Sequence, residues 1–518
     1  MEYVNTSDTP NYGTKDKATE ILKKYKEAQG IKDHWKDRFE EAYEYCLPNR
    51  ESFYDESPGQ RRTDKIFDET AVVGVQEFAS RLQAGIVPTF ARWADFQAGS
   101  EIPEEEKPQI NLELDKITDY VFQILQTSNF NQEIHEAFMD LAIGTGVMLV
   151  EEGDAINPIK FSSIPLTRVC LNNGPDGAID TVYRTRYCKP EEILILYPKA
   201  QLPEDFDPLK QKKKIKLVEA VYKIYEPNVE KYKFCVVMED PKHIILEEEY
   251  EGEGSNPYLV FRWNKASGEV YGRGPVFNAM SAIKTCNLTI ELILQNAQMS
   301  VSGVYTYEDD GVINPDNISL VPGSLIPVAP GSRGLIPIQA ASNFDVAQLV
   351  LNDMRANIKK ALYMEALGKP EGTPMTATEV SERMADLSRQ IGASFGRLQS
   401  ELINPLLRRI IRILSKQGRI DVPKINGREV KVAPRSPLAQ AQHLQDVADV
   451  TRFNEIIAGT FGPQMINLIV DQNATAKYLA EKMNLPEKLI RDEQEQKQLA
   501  DRMSQLQQSA GEEAPPES

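Results

Sequence analysis

Five groups of residues in this chain are of types that could do chemistry. Gly392-Ala393-Ser394-Phe395-Gly396 has the G-x-S-x-G spacing of a nucleophile elbow, in which a sharp strand-to-helix turn pushes a serine into the open. Asp309-Asp310-Gly311 with Asn314 and Asp316 offers oxygen ligands of the kind a calcium ion takes. Arg408, Arg409 and Arg412 gather positive charge that could meet a phosphate. Gly272 and Gly274 suggest half of a dinucleotide fingerprint. The five cysteines (Cys46, Cys170, Cys188, Cys235, Cys286) and four histidines (His34, His135, His243, His443) are the remaining metal-ligand types.

Spacing and setting weigh against each of these. Ser394 lies inside a long helical pattern, with Ile391 and Phe395 on its apolar stripe and no strand before it. Its flanking glycines read as sites of close helix approach or local bending. The acidic loop lacks alternating ligand spacing and a terminal Glu, so it reads as a turn with solvated acids. Gly272-x-Gly274 is followed by Pro275 and has no second half, which suits a turn from strand to helix. No C-x-x-C pair occurs, and the scattered thiols read as small buried hydrophobes in a reducing compartment. The arginine cluster reads as a solvated face or as partners for acids of a neighbouring subunit, phosphate contact being the weaker alternative. No G-x-x-x-x-G-K-[ST] is present. The expectation is no catalytic set, no cofactor and no metal.

The elements around these residues are mostly helical. Apolar spacing predicts helices over 15–47, 64–86, 108–125 and 131–142. From about 146 to 265 the period changes to two, as in Val218, Ala220, Tyr222 and Ile224, which predicts half-buried antiparallel strands. Strands are expected at 181–188, 232–238, 243–248 and 258–263. A basic run (Lys210 to Lys216) and an acidic run (Glu247 to Glu253) flank them and read as solvated charge.

Tyr271-Gly272-Arg273-Gly274-Pro275 then opens a helix to about residue 300 in which only Lys284 and Glu291 are charged. So little polar circumference predicts packing on several sides. A Pro- and Gly-rich stretch, 303–341, separates it from a second helix over 344–367. Gly368, Lys369, Pro370, Glu371, Gly372, Thr373 and Pro374 form a loop. Thr376 and Glu379 then make a capping box, with Met375 and Val380 at the staple positions. The helix they open carries an apolar stripe from Val380 to Ile413 with a period of about 3.67 residues, so it runs nearly straight. Its length to Lys416 is ~60 Å, with a kink expected at Pro405. A hairpin-like turn at Asn426-Gly427, two or three more helices and a disordered tail over 509–518 complete the chain.

At 518 residues and a formal net charge of −18, the chain can bury several cores but is a poor all-over binder of nucleic acid. Met1 to Asn5 shows no secretory signal, and the apolar run Val147–Val150 is too short to span a bilayer. A soluble protein of cytosolic origin is expected, with no membrane partner.

The order of these elements resembles the portal, or head-to-tail connector, protein of short-tailed, podovirus-type bacteriophages. The likeness is carried by Tyr271–Pro275 and by Pro374-Met375-Thr376-Ala377-Thr378-Glu379-Val380. Gly396-Arg397-Leu398, Glu401-Leu402, Pro405-Leu406 and Ser436-Pro437-Leu438-Ala439 continue it. The resemblance implies an α+β, mainly helical portal fold. Its parts would be an antiparallel β-rich wing (1–270), stem helices (271–302 and 342–367) bracketing a small β-containing clip (303–341), and a tunnel loop (368–375). A long kinked helix returning to the wing (376–434) and a helical crown (435–508) would follow.

The resemblance also implies a non-enzymatic ring, usually of twelve subunits, at one capsid vertex of the virion, assembled in the host cytoplasm. Double-stranded DNA would be packaged and ejected through its channel. The implied partners are the terminase large subunit, the tail adaptor, the major capsid and scaffolding proteins, and internal core proteins. Arg355, Lys359, Lys360 and Lys369 are the candidate DNA-channel contacts, and Asp309, Asp310, Asp316 and Arg333 the clip docking surface. The competing readings are a cellular scaffold or adaptor protein, and a hydrolase using Ser394.

Overall fold

The two-residue period at 215–226 shows how the larger sheet is built. In the computed structural model, which describes residues 14–54, 63–103, 105–204, 206, 213–227, 229–302, 305–306, 330–331, 336–337, 344–364, 391–421, 430–462 and 470–482, Ile215–Glu226 is strand β6. It is the centre of a five-stranded antiparallel sheet in the order β4-β5-β6-β7-β8. The other strands are β4 (Val169–Asn173), β5 (Ile179–Cys188), β7 (Val229–Met238) and β8 (His243–Glu251). Val218 pairs with Thr185 on one side and Val237 on the other.

Helix α1 (Thr14–Cys46) covers one face. Its Ala18, Leu22, Tyr25 and Ala28 pack with Cys170, Tyr183, Val218, Ala220, Cys235 and Val237. The opposite face is covered too. Leu217, Val236, Met238 and Ile245 pack with Tyr197, Phe206 and Ile193 of the short helix α5 (Ile193–Leu196). Alternation alone predicted half-buried strands. The segment after β5 folds back over the second face, so β6 is buried on both sides through Val221.

A second sheet, β3-β2-β9, joins β2 (Thr145–Glu152) to β3 (Ile159–Ser163) and β9 (Tyr258–Arg262), both antiparallel. Helix α4 (Phe130–Ile143) runs into β2 through Gly144 and packs by edge contacts, Phe130 on Phe161 and Phe138 on Phe261. Helix α3 spans Lys107–Thr127. The helix expected over 64–86 begins later, as α2 (Thr70–Ile86), after a single 3-10 turn at Thr63–Lys65.

The two expected stem helices are α6 (Pro275–Ser302) and α7 (Phe344–Ala361), and they pack on each other. Between them in sequence, Tyr305–Thr306 (β10) pairs with Ile336–Pro337 (β11). Residues 391–398 are helical, Gln399–Ile403 form a π turn, and α8 (Asn404–Lys416) continues the run.

The chain divides into two compact units. The first holds residues 1–83, 120–369 and 393–425, with both sheets just described. The second gathers 84–119, 370–392 and 426–518. Within it, β1 (Ala94–Ala98) pairs antiparallel with β12 (Val430–Pro434). Arg92 and Arg435 both pair with the buried Asp95. Helices α9 (Pro437–Phe461) and α10 (Gln472–Lys482) pack together there, joined by a Lys482–Asp446 ion pair. The expected turn at Asn426-Gly427 lies outside the described residues. The strand that follows finds its partner in residues 94–98, far away in sequence, a pairing no local signal announces.

Candidate functional site

Of the residues singled out in the sequence, Gly272 and Gly274 stand at the foot of α6, and Glu401 reaches the same place from the helical run 391–416. Gly272 and Gly274 are there for space. A Cβ on Gly272 would stand 2.2 Å from the Gly144 carbonyl oxygen, and one on Gly274 2.1 Å from that of Ala142. Backbone bonds exploit the contact: Gly274 N donates to Ile143 O (2.7 Å) and Trp263 N to Gly144 O (2.9 Å). Gly272 N donates to Thr145 Oγ1 at 2.8 Å. Tyr271 is fully buried, its hydroxyl accepting from Leu171 N. Its ring meets Phe39 edge-on, while Arg273 lies over the Trp35 ring. The foot of α6 is thus locked to α1, to the α4–β2 joint and to β4.

Arg262 ties the same place to the long helix. It is buried; its Nη2 donates to Glu401 Oε1 (2.6 Å), its Nε to Glu401 Oε2 (3.3 Å) and its Nη1 to Val270 O (3.3 Å). Glu401 sits in the π turn. Pro405 has no N–H to return to Glu401 O, and the turn before it widens so that Asn404 N donates to Gln399 O. The expected interruption at Pro405 is taken up in this way. Ser400, Glu401, Pro405 and Arg408 line a pocket of about 220 Å³ against β9, Tyr232 and Asn256.

Side chains of α6 and α7 both fasten the segment before α2. Asn287 of α6 accepts from Phe67 N (2.7 Å) and Asp68 N (3.2 Å) and donates to Lys65 O. Arg355 of α7 pairs with the buried Asp68 at 2.8 Å. Burial pushes the Asp68 carboxyl up, but the bonds from Thr70 and Arg355 outweigh it and hold it below the usual range. Arg355 is therefore bound to its own subunit's carboxylate. Lys359 and Lys360 are exposed in the last turn of α7, where cations complement the helix dipole.

Helix α7 ends at Ala361, not near 367 as its sequence suggests. Met364 N donates to Lys359 O and Tyr363 N to Lys360 O, the two bonds of a Schellman cap. Tyr363 occupies the left-handed position of that cap at φ +57°, a place glycine usually takes. Such a conformation costs roughly 1–3 kcal/mol in a bulky residue.

Ser394 is buried within the helix and donates to Asn264 Oδ1 at 3.1 Å. It stands on no strand-to-helix elbow, and the hydrolase reading has no geometry behind it. A Cβ on Gly392 or Gly396 would meet nothing within 4 Å, so among the described residues no close helix approach is made to them. The five thiols are all buried and free, and burial pushes Cys46 up to about 12 and Cys286 up to about 11. Among the described residues no group of His, Cys, Asp and Glu could hold a metal ion. No helix among them is long and apolar enough to cross a membrane.

Arg409 departs from both readings of the arginine cluster. It is buried and donates to the carbonyls of Val150 (3.1 Å), Gly254 (3.3 Å) and Ser255 (3.2 Å). Burial pushes its guanidinium down to about 10. Arg412 reaches Glu253 O. Gly368–Pro374 (Lys369 among them), Thr376, Glu379, Asp309, Asp310, Asp316 and Arg333, all singled out in the sequence, lie outside the described residues.

Among the described residues, four buried carboxylates carry no reading in the sequence: Asp68 and Asp95, described above, and Glu219 and Asp140. Glu219 accepts from Tyr258 and Tyr197 and faces Arg184 and Arg186. Asp140, inside the apolar pattern of α4, accepts from Tyr43 (2.9 Å) beside Arg50 (3.6 Å), and burial pushes it up to about 6. The one available signal was an acid on an apolar stripe, at Asp140.

Residues 18–490 match the family described as bacteriophage head to tail connecting protein. The chain is 23% identical over 528 residues to the probable portal protein of Bordetella phage BPP-1, covering 95% of this chain and 92% of that one. It is 20% identical to the portal protein of Escherichia phage T7 (77% and 75% covered) and 21% to that of Salmonella phage epsilon15 (80% and 77%). Among solved structures, a chain from the virion of a native gene transfer agent particle aligns at 12% identity with a TM-score of 0.37, over 82% of this chain and 94% of that one.

Proposed function

Since this chain belongs to the bacteriophage head to tail connecting protein family, we propose that it is a portal subunit that closes into a ring at one capsid vertex. The observation that carries the ring is the surface of the stem pair. Leu288, Leu292 and Leu294 of α6 and Leu349 of α7 are 52–71% exposed in the single subunit. Leu288 and Leu292 share one face of α6 while Leu294 lies across it; exposed apolar surface of this kind marks interaction sites, and a closed ring buries it on both sides of every subunit. The low charge of α6, read from the sequence as packing on several sides, is satisfied within the subunit only as far as Asn287.

The ring is a conduit for the viral genome. An acidic protein suits that role, because each phosphate neutralised adds affinity and friction through counterion release. Lys359 and Lys360, exposed at the end of α7 and followed by Lys369, are the proposed transient phosphate contacts. Arg355, held by Asp68, serves the stem instead. The action is structural and non-enzymatic. The subunit number is proposed as twelve, with the wing, stem, clip, tunnel loop and crown at the boundaries given above. The terminase large subunit and then the tail adaptor dock on the clip, through Asp309, Asp310, Asp316 and Arg333. The capsid, scaffolding and internal core proteins complete the proposed partners in the virion. Negative-stain electron microscopy with light-scattering mass on the purified protein tests the reading, through rings with a central hole.

A further inference from the structure

We propose that the end of α7 is a conformational latch, in which Arg81 and not the local sequence decides where the helix stops. The sequence across the stop, Ala361-Leu362-Tyr363-Met364, contains no glycine, proline or asparagine and has the composition of continuing helix. The stop nevertheless occurs, with tyrosine in the left-handed position at φ +57°. A local preference overruled in this way points to a functional or strained element.

What overrules it is on α2. Arg81 Nη1 donates to Tyr363 O at 3.2 Å and also to Met364 O, while its Nη2 keeps Glu77 at 3.1 Å. The Tyr363 ring stands against Trp263 at 5.8 Å and Phe78 at 6.4 Å between centroids. Leu362 is fully buried over Gly74, where any Cβ would lie 2.5 Å from Leu362 Cδ1. The two carbonyls that Arg81 holds are groups that a continuing helix would aim along its own axis. Releasing them removes the compensation for the left-handed residue. Tyr363 then has a lower-energy alternative, the right-handed helical conformation, in which α7 runs on through Met364. The latch thus has two states, stopped and extended, and the Arg81 guanidinium selects between them.

The test is a set of crystal or cryo-electron microscopy structures of full-length variants. Arg81→Ala is expected to move Tyr363 from φ +57° to about −60° and to carry α7 through Met364. Tyr363→Val, which leaves Arg81 in place but makes the left-handed conformation far costlier, is expected to do the same. Arg81→Ala combined with Tyr363→Gly is expected to restore the stop at Ala361, because glycine takes positive φ freely and disfavours helix. The proposal is overturned if residue 363 keeps a positive φ in both single variants. It is also overturned if neither single variant folds while Tyr363→Gly does, since Arg81 and Tyr363 would then serve folding rather than choose a helix end.

Discussion

Glu401 presents its carboxylate to the buried Arg262 from inside a π turn, with Nη2 to Oε1 at 2.6 Å. That single pair joins the long helix to the strand that leads into the foot of α6. Removing the acid leaves a buried guanidinium uncompensated, so Glu401→Ala is expected to cost about 3–5 kcal/mol. Glu401→Gln keeps the shape and one acceptor and should cost less. Denaturant unfolding measures both. Equal stability for wild type and Glu401→Ala would mean the pair does not hold the joint.

The glycines divide into two kinds. Gly272→Ala and Gly274→Ala place a methyl within 2.2 Å of a neighbouring carbonyl oxygen, and overpacking of this sort costs about 1–3 kcal/mol or more. Gly396→Ala, with open space around its Cβ, should stabilise the helix by up to ~1 kcal/mol. A normally folded Gly396→Ala subunit that no longer assembles would place a neighbouring subunit against that helix face.

Asp140 gives the protein a pH dependence opposite in sign to that of its paired surface acids. Its carboxyl is raised to about 6 by burial, with Arg50 and Tyr43 opposing and Glu136 adding to the rise. The folded state therefore holds a proton that the unfolded chain releases above the ordinary carboxylate range. Its contribution is complete below that range and is lost as pH rises through about 6. Asp140→Asn keeps an acceptor for Tyr43 and removes the titration. Melting temperatures across pH 4 to 7 (roughly the window this linkage sets) should fall more steeply with rising pH for wild type than for the variant. Parallel curves would contradict the assignment.

Asp68 works the other way. Its carboxyl is held low by Thr70 and Arg355 despite burial, so its contribution is present above the ordinary carboxylate range and disappears as pH falls through its lowered folded value. Arg355→Ala strips a partly buried acid of its partner and is expected to lower the melting temperature at pH 7 more than at acid pH. A loss independent of pH would assign Arg355 to packing alone.

Much of the secondary structure was legible because the periods are clean. The α1, α4 and α6 patterns and the alternation in β6 to β8 each match their elements closely. The resemblance at Tyr271–Pro275 rests on residues whose geometry is now plain, since Gly272 and Gly274 leave no room for side chains. What could not be read is what distant residues impose. The end of α7 is set by Arg81, almost three hundred positions away. The pairing of residues 94–98 with 430–434 has no local signature. Arg409, which pattern placed on a surface, is drawn inward by three carbonyls of other segments. Glu219 gave no warning because the second cover over its sheet comes from the short turn of helix at Ile193–Leu196 and the irregular segment after it, which have no strong sequence period.

The most direct test of the central claim is the mass and shape of the purified protein, before and after a charge is placed on α6. Wild type is expected to form rings with a central hole, at about 0.7 MDa if twelve subunits close the ring. Leu292→Arg, at a position 55% exposed in the subunit, should leave thermal stability within about 0.5 kcal/mol and abolish the rings. A wild-type protein that stays monomeric or dimeric across concentration and in the presence of scaffolding protein would contradict the portal reading. Leu292→Arg rings indistinguishable from wild type would contradict the part proposed for α6 in closing them.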